Sequence, residues 1–457
     1  MKIHILGICG TFMGGIALLA KQEGHEVSGC DANVYPPMST QLEEQGITLC
    51  EGFEPDDIPE DVDEVVIGNA MSRGNAAVEY VLNNNISYSS GPEWLSKHIL
   101  KQRWVLAVAG THGKTTTSSM LAWILQYADL NPGFLIGGIP ANFGLSARAG
   151  EAPFFVVEAD EYDTAFFDKR SKFIHYHPRT AVLNNLEFDH ADIFDDLDAI
   201  KKQFHHFVRT IPGDGLIIKN GEDDNVSSVL DMGCWSQVAA IHKDHDPAHS
   251  DDDWSVGEAS EDGRQFEVLL DGKVVTEVNW SLHGAYNRMN ALAAIAAAQH
   301  AGVPVEVSCE ALGEFRGIKR RLEIRGVVSG VTVYDDFAHH PTAIAETLAA
   351  MKEVKGEGRV FAVLEPRSNT MRMGVHKESL GASWQQADEI CLYQPQGLDW
   401  NLDDVVSQSE TPAAVYSSTA NIIDYLVSRV NEGDHILIMS NGGFEGIHQR
   451  MLDALAS

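Results

Sequence analysis

Residues 104–126 read WVLAVAGTHGKTTTSSMLAWILQ. An apolar run from Trp104, a glycine-bearing turn and a helically spaced stretch from Thr115 to Gln126 follow one another. That is the order of an α/β unit whose turn faces an anion at a helix N-terminus. In the turn, Gly110, Thr111, His112, Gly113, Lys114, Thr115 and Thr116, the glycines let backbone amides close around phosphate oxygens. Lys114 is spaced to reach terminal phosphates and Thr115 to ligate Mg²⁺. Val108 stands where the full phosphate-loop pattern has its first glycine, but the strand and helix context points to phosphate binding.

A phosphate loop needs acidic partners for its metal. The next apolar run, PFFVV, delivers Glu158, Asp160, Glu161 and Asp163 at the carboxyl end of a strand, where α/β sheets bind ligands. Glu158 is the first candidate, and a helix-capping role suits Asp163. The strand after it ends in Asn184, Asn185, Leu186, Glu187, Phe188, Asp189 and His190, which puts more polar groups at the same edge. His190 is either structural or a metal or phosphate group.

Apolar and helical segments alternate before and after this unit, which indicates βαβ construction throughout. Three domains are expected at this length: 1–102, 103–321 and 322–457. Strands are expected near Ile3–Leu6, Glu26–Ser28 and Val65–Ile67 in the first. The second closes with an Ala-rich helix from about Asn287, with Asn287 and Asn290 on one face. Strands near Val331–Tyr334, Val360–Leu364, Glu389–Tyr393 and Ile436–Met439 build the third. Asp244–Asp262 holds eight acidic residues among nineteen and reads as a solvated loop or hairpin margin.

Gly7, Gly10, Gly14 and Gly15 follow the first strand and Asp31 follows the second. The spacing suggests an anion at a helix N-terminus but departs from the dinucleotide pattern. Lys319, Arg320 and Arg321 form a basic cluster that serves phosphate or pairs with surface carboxylates. The run Asp335-Asp336-Phe337-Ala338-His339-His340-Pro341, between strand and helix, exceeds what a turn requires and ranks as a site.

With 66 acidic against 33 basic residues and a formal charge of −33, nucleic acid and anionic membranes are disfavoured partners. The six scattered cysteines read as reduced, and the N-terminal segment reads as a buried strand and turn, so the chain is expected to be cytoplasmic.

Taken in order, G-T-H-G-K-T-T, E-A-D-E, N-L-E-F-D-H, N-R-M-N-A, F-R-G-I-K-R-R and D-D-F-A-H-H-P resemble the Mur ligases of peptidoglycan metabolism over essentially the whole chain. The resemblance implies an α/β protein with a Rossmann-like UDP-sugar domain, a central P-loop ATPase domain on a parallel or mixed sheet, and a Rossmann-like C-terminal domain for the amino substrate. It implies ATP and Mg²⁺ as cofactors and a carboxylate activated as an acyl phosphate.

Carried over by motif, Lys114, Glu158, His190 and His339 are catalytic. Thr115, Glu158 and His190 hold metal, with Asn185 in support. Gly110 to Thr116, Asn290, Arg321 and Asp336 contact ATP, and Gly7, Gly10, Thr11, Gly14 and Asp31 the UDP-sugar. The loops G-I-C-G-T-F-M-G-G, E-P-R-S-N-T-M-R and S-N-G-G-F depart from the L-alanine-adding branch. They resemble the branch that attaches L-alanyl-γ-D-glutamyl-meso-diaminopimelate to UDP-N-acetylmuramate in murein recycling. Arg367, Asn369 and Arg372 then become peptide-binding residues, since Arg pairs bidentately with carboxylates.

L-alanine ligation in biosynthesis is the nearest alternative. A nicotinamide oxidoreductase would leave Lys114, Glu158 and Asp336 without purpose. The expected partners are these small molecules, with the chain a monomer or weak dimer.

Overall fold

The computed structural model describes residues 1–35, 38–151, 153–246, 253–398 and 400–457. Three sheets organise the chain. The first is five-stranded and parallel, in the order Thr48–Glu51, Glu26–Asp31, Lys2–Leu6, Glu64–Ile67, Tyr88–Ser90. Its strands are short apolar runs joined by helices such as Thr11–Gln22, whose N-cap is Gly10.

The second sheet has ten strands. At its centre Trp104–Ala109 lies between Thr180–Leu183 and Phe154–Ala159, all parallel. Leu216–Asn220, Gln237–His242 and Trp254–Ala259 extend it in parallel, and Gln265–Leu270 and Lys273–Asn279 close it as an antiparallel hairpin. The acidic stretch Asp244–Asp262 is thus corrected: its second half contains the strand Trp254–Ala259, with Trp254 2% exposed. Alternate residues there face the core, which the count of carboxylates obscures. Residues 247–252 of that stretch lie outside the described residues.

The helices Lys114–Tyr127 and Ala285–His300 cover one face, packed through Met120, Leu121, Ile124, Leu292 and Ile295. The third sheet is six-stranded: Glu323–Val328 runs antiparallel to Val331–Asp336, and His435–Met439, Val360–Leu364, Glu389–Tyr393 and Ala413–Tyr416 follow in parallel.

The core is divided unevenly. One apolar cluster runs from Ile3 and Ile16 of the first sheet and its helix through Trp94 into Val105, Phe155 and Phe204 of the second. The third domain keeps its own clusters, on either face of its sheet.

Candidate functional site

Trp104–Ala109 ends at the carboxyl edge of the central sheet, where strand order reverses and ligands bind in this architecture. Gly113 caps the following helix with φ of 80°, and a Cβ there would lie 2.4 Å from Asn290 Oδ1, so only glycine fits. The turn is pinned from the next strand. Asn185 Oδ1 accepts the His112 amide at 2.7 Å, its Nδ2 donates to the His112 carbonyl at 3.3 Å, and Thr111 Oγ1 accepts the Glu187 amide at 2.9 Å. Asn184 Nδ2 donates to Thr117 Oγ1 at 3.0 Å, which donates to Asn290 Oδ1 at 3.1 Å. In this arrangement Asn290 supports the turn from beneath, and Thr116 is buried beside it.

Lys114 opens the helix and is buried. Its Nζ donates to the Gly110 carbonyl at 2.7 Å and to Glu161 Oε2 at 3.1 Å, with Asp160 at 3.8 Å. Burial would lower its pKa, but Glu161, Asp160 and Glu158 raise it above the ordinary lysine value. Glu161, 2% exposed, accepts His190 Nε2 at 3.0 Å through its other oxygen. Burial pushes this carboxyl up, yet Lys114 and His190 hold it down to about 2. Burial likewise lowers His190, and the bond to Glu161 more than restores it, so its pKa is raised. The edge therefore carries a continuous Lys–Glu–His charge chain.

Sequence placed His190 beside Glu158; the structure gives it to Glu161 instead. Glu158 pairs with Thr115, whose Oγ1 donates to Oε1 at 3.0 Å, and accepts the Gly137 amide on Oε2 at 2.8 Å. Burial, together with the charge of Asp160, raises its pKa. A half-buried carboxylate and a hydroxyl side by side are hard oxygen donors, and they fit a divalent cation such as Mg²⁺. Asp163 caps no helix: it opens a hairpin, Asp163–Ala165 against Asp168–Ser171.

The third domain meets this edge. Glu187 accepts His112 Nε2 at 2.8 Å and Thr342 Oγ1 at 2.9 Å, with His340 Nδ1 at 3.4 Å. Burial pushes Glu187 up, but His112 and His340 hold it down to about 2. Thr370 Oγ1 donates to Asp189 Oδ1 at 2.7 Å and Asn369 Nδ2 to Asp192 Oδ2 at 2.9 Å. Arg367 packs on Gly442, where a Cβ would stand 1.7 Å from its Nη1, and Arg372 donates to the Gly397 carbonyl at 3.3 Å. The three residues expected at the peptide thus lie on one segment, Arg367 just before the helical turn Asn369–Arg372, with Asn369 bridging domains.

Asp336 accepts the amides of Leu322 at 2.7 Å and Ala338 at 2.8 Å, and burial raises its pKa. Here it shapes the crossing between the second and third sheets. Arg321 lies 5.0 Å above the Phe337 ring, and His339 Nδ1 is 2.9 Å from the Phe337 carbonyl, with burial pushing the ring down to about 4.

In the first domain Gly7, at φ of 84°, turns the chain so that its amide donates to the Cys30 carbonyl at 2.8 Å. Asp31 accepts the Cys9 amide at 2.9 Å, Thr11 begins the helix, and Gly14 leaves room for Met38, whose Sδ would be 2.5 Å from a Cβ. Phe12 carries Lys172 Nζ 4.6 Å above its ring, and Lys172 reaches Asp160 at 3.6 Å. Sequence reading missed Lys172, Thr342 and Thr370, whose sequence contexts carry no distinguishing pattern.

A three-domain α/β chain with a phosphate-type loop whose edge is closed by a third domain defines a nucleotide-dependent class of enzyme. Residues 2–103 match the family model described as Mur ligase family, catalytic domain; residues 108–298 match the Mur ligase middle domain; residues 320–442 match the Mur ligase, glutamate ligase domain. The chain is 57% identical over 457 residues to the UDP-N-acetylmuramate--L-alanyl-gamma-D-glutamyl-meso-2,6-diaminoheptandioate ligase of Escherichia coli (strain K12), covering 100% of this chain and 98% of that protein. To the UDP-N-acetylmuramate--L-alanine ligase of Syntrophomonas wolfei the identity is 33%, over 99% and 97% of the two chains. The crystal structure of a murein peptide ligase from Psychrobacter arcticus superposes with a TM-score of 0.76 at 49% identity, covering 100% of this chain and 99% of that one. The chain belongs to the Mur ligase family.

Proposed function

We propose that this protein is an ATP-dependent, ADP-forming ligase that joins the carboxylate of UDP-N-acetylmuramate to the amino group of L-alanyl-γ-D-glutamyl-meso-diaminopimelate in murein recycling. The observation that carries this reading is the meeting of three pieces at one edge: the Gly110–Thr116 loop, the buried Lys114–Glu161–His190 chain, and the Arg367–Arg372 loop docked beside it through Thr370. High identity along the full chain to a ligase named for the tripeptide favours that acceptor over L-alanine.

In this reading residues 1–102 bind the UDP-sugar through Gly7, Gly10, Thr11, Gly14 and Asp31. Residues 103–321 bind ATP, and residues 322–457 present the peptide, with Arg367 and Arg372 facing its carboxylates. Lys114 neutralises charge on the γ-phosphoryl group as it passes to the muramate carboxylate. Glu161 holds the Lys114 ammonium in place and keeps it charged. Thr115 and Glu158 would hold Mg²⁺, which supplies charge neutralisation between the phosphates when bound.

The peptide amine then displaces phosphate from the acyl phosphate. Docking of the third domain keeps water from that intermediate, and His339, whose pKa burial lowers to about 4, would act there as a neutral imidazole. Among the described residues no helix is long and apolar enough to cross a membrane.

The reading is tested by phosphate release from ATP with UDP-N-acetylmuramate, comparing tripeptide with free L-alanine. Strong preference for tripeptide is expected. Preference for L-alanine would transfer the chain to biosynthesis, and release with neither would overturn the ligase reading.

A further inference from the structure

The N-terminal sheet carries a side-chain cluster that the proposed reaction does not use. Cys30 and Cys50 stand opposite one another on the adjacent parallel strands Glu26–Asp31 and Thr48–Glu51. Asp57 reaches them from the one-turn helix Pro55–Asp57. One donor atom from each residue, two Sγ and a carboxylate oxygen, lie within 4.8 Å of one another. His4 adjoins them, its Nε2 3.2 Å from Cys30 Sγ and its Nδ1 2.9 Å from Ser28 Oγ. Cys30 and His4 are fully buried, whereas Cys50 and Asp57 are half-buried, so the cluster is closed on one side and reachable from the other.

We infer that Cys30, Cys50 and Asp57 form a binding site for a thiophilic divalent cation, with Zn²⁺ the fitting ion. Tetrahedral zinc with sulfur and oxygen donors places them roughly 3.3–3.8 Å apart, so the three close on an ion by moving about an ångström. The fourth position faces the open side and takes water. Binding displaces both thiol protons to solvent, leaving two thiolates and a carboxylate around the ion. His4, with its Nε2 3.2 Å from the Cys30 sulfur, then orients that sulfur as a hydrogen-bond partner.

The position gives the ion a consequence. The Cys30 carbonyl accepts the amides of Gly7 and Ile8 at 2.8 and 3.2 Å, and the neighbouring Asp31 holds the Cys9 amide. A clamp on the Cys30 and Cys50 side chains therefore pins the strand end whose Cys30 carbonyl and Asp31 carboxylate hold the first glycine loop.

The experiment is a Co²⁺ titration of the full-length chain, freed of metal and kept reduced with a phosphine. Thiolate-to-cobalt charge-transfer absorption should saturate at one equivalent, and Zn²⁺ should displace it. Cys50→Ser and Asp57→Asn, both at half-exposed edge positions, should weaken cobalt binding at least tenfold, and Cys50→Ser should remove most of the band. A cation at His112, Glu187 and His340 meets no sulfur and gives no such band. Absence of the band, its persistence in both variants, or a Cys30–Cys50 disulfide in freshly isolated protein would overturn the inference.

Discussion

Glu161→Gln probes the charge chain most directly. The side chain is 2% exposed and binds Lys114 Nζ at 3.1 Å and His190 Nε2 at 3.0 Å. Glutamine preserves the shape and removes the charge. Holding the carboxyl from an ordinary 4.5 down to about 2 corresponds to about 3 kcal/mol of native-state stabilisation. Breaking a buried pair by neutralising one partner costs about 3–5 kcal/mol by direct measurement in other proteins. Lys114 retains Asp160 at 3.8 Å and the Gly110 carbonyl, so the lower figure applies.

The sign follows from a depressed carboxyl. The stabilisation is complete above the unfolded value near 4.5 and is lost as pH falls through about 2, so it is fully present at pH 7. The loss should be local, since the C-terminal domain has its own core. Amide hydrogen exchange followed by mass spectrometry at neutral pH reads it. Amides of Lys114–Tyr127 should exchange about a hundredfold faster in the variant, a factor equivalent to about 3 kcal/mol, while those of His435–Met439 keep their rates. An acceleration below about fivefold in the helix would show that the chain is electrostatically slack, and the reasoning would fail.

Lys114→Ala should abolish phosphate release while leaving UDP-sugar affinity, measured by calorimetry, within about twofold; equal loss of both would mean that the two sites are not separate. Thr370→Val removes the bond to the buried Asp189 carboxylate, worth about 1.5–3 kcal/mol for a charged acceptor. It should shift the third domain towards detachment, read as a larger radius of gyration in X-ray scattering, with Thr370→Ser retaining the wild-type value. Burial holds His4 and His339 down to about 4, and burial with the charges of His112 and His376 holds His340 down to about 3. Folded pKa values below the unfolded 6.5 mean stability that is present above pH 6.5 and lost as pH falls through 4 towards 3. The melting temperature should therefore drop across that window, and His340→Gln should flatten the slope.

The phosphate turn was legible because it needs glycine at a left-handed cap and a lysine at fixed distance, requirements that leave a residue pattern. Glu161 was visible only as one acid of four: the strand Phe154–Ala159 ends just before it, and which carboxylate turns inward depends on the backbone beyond. The antiparallel edge of the central sheet carried a signal that went unused. Asp271 and Gly272, at φ of 53° and 67°, stand between two alternating runs, and such an Asp-Gly pair marks a tight hairpin. Thr342 and Thr370 carried none, because a threonine that bridges domains looks like any surface threonine until the partner strand end is in place.

That bridging bears on how the site is assembled. The first and second domains share one apolar cluster, from Ile3 through Trp94 to Phe204, so separating them would expose core. The third packs its apolar residues on its own sheet and meets the edge through Thr342–Glu187, Thr370–Asp189 and Asn369–Asp192. Each such bond, made to a carboxylate, contributes about 1.5–3 kcal/mol, and polar interfaces of this kind favour domain motion. The third domain, also tied to the second by Gly284 and Arg288 on Glu353, is therefore the part expected to move. Two of these bonds come from the segment that carries Arg367 and Arg372, and both end on residues close to His190. On the proposed function, an acceptor that orders this segment would strengthen the same contacts that close the edge over the phosphate turn, which would couple acceptor binding to exclusion of water from the acyl phosphate.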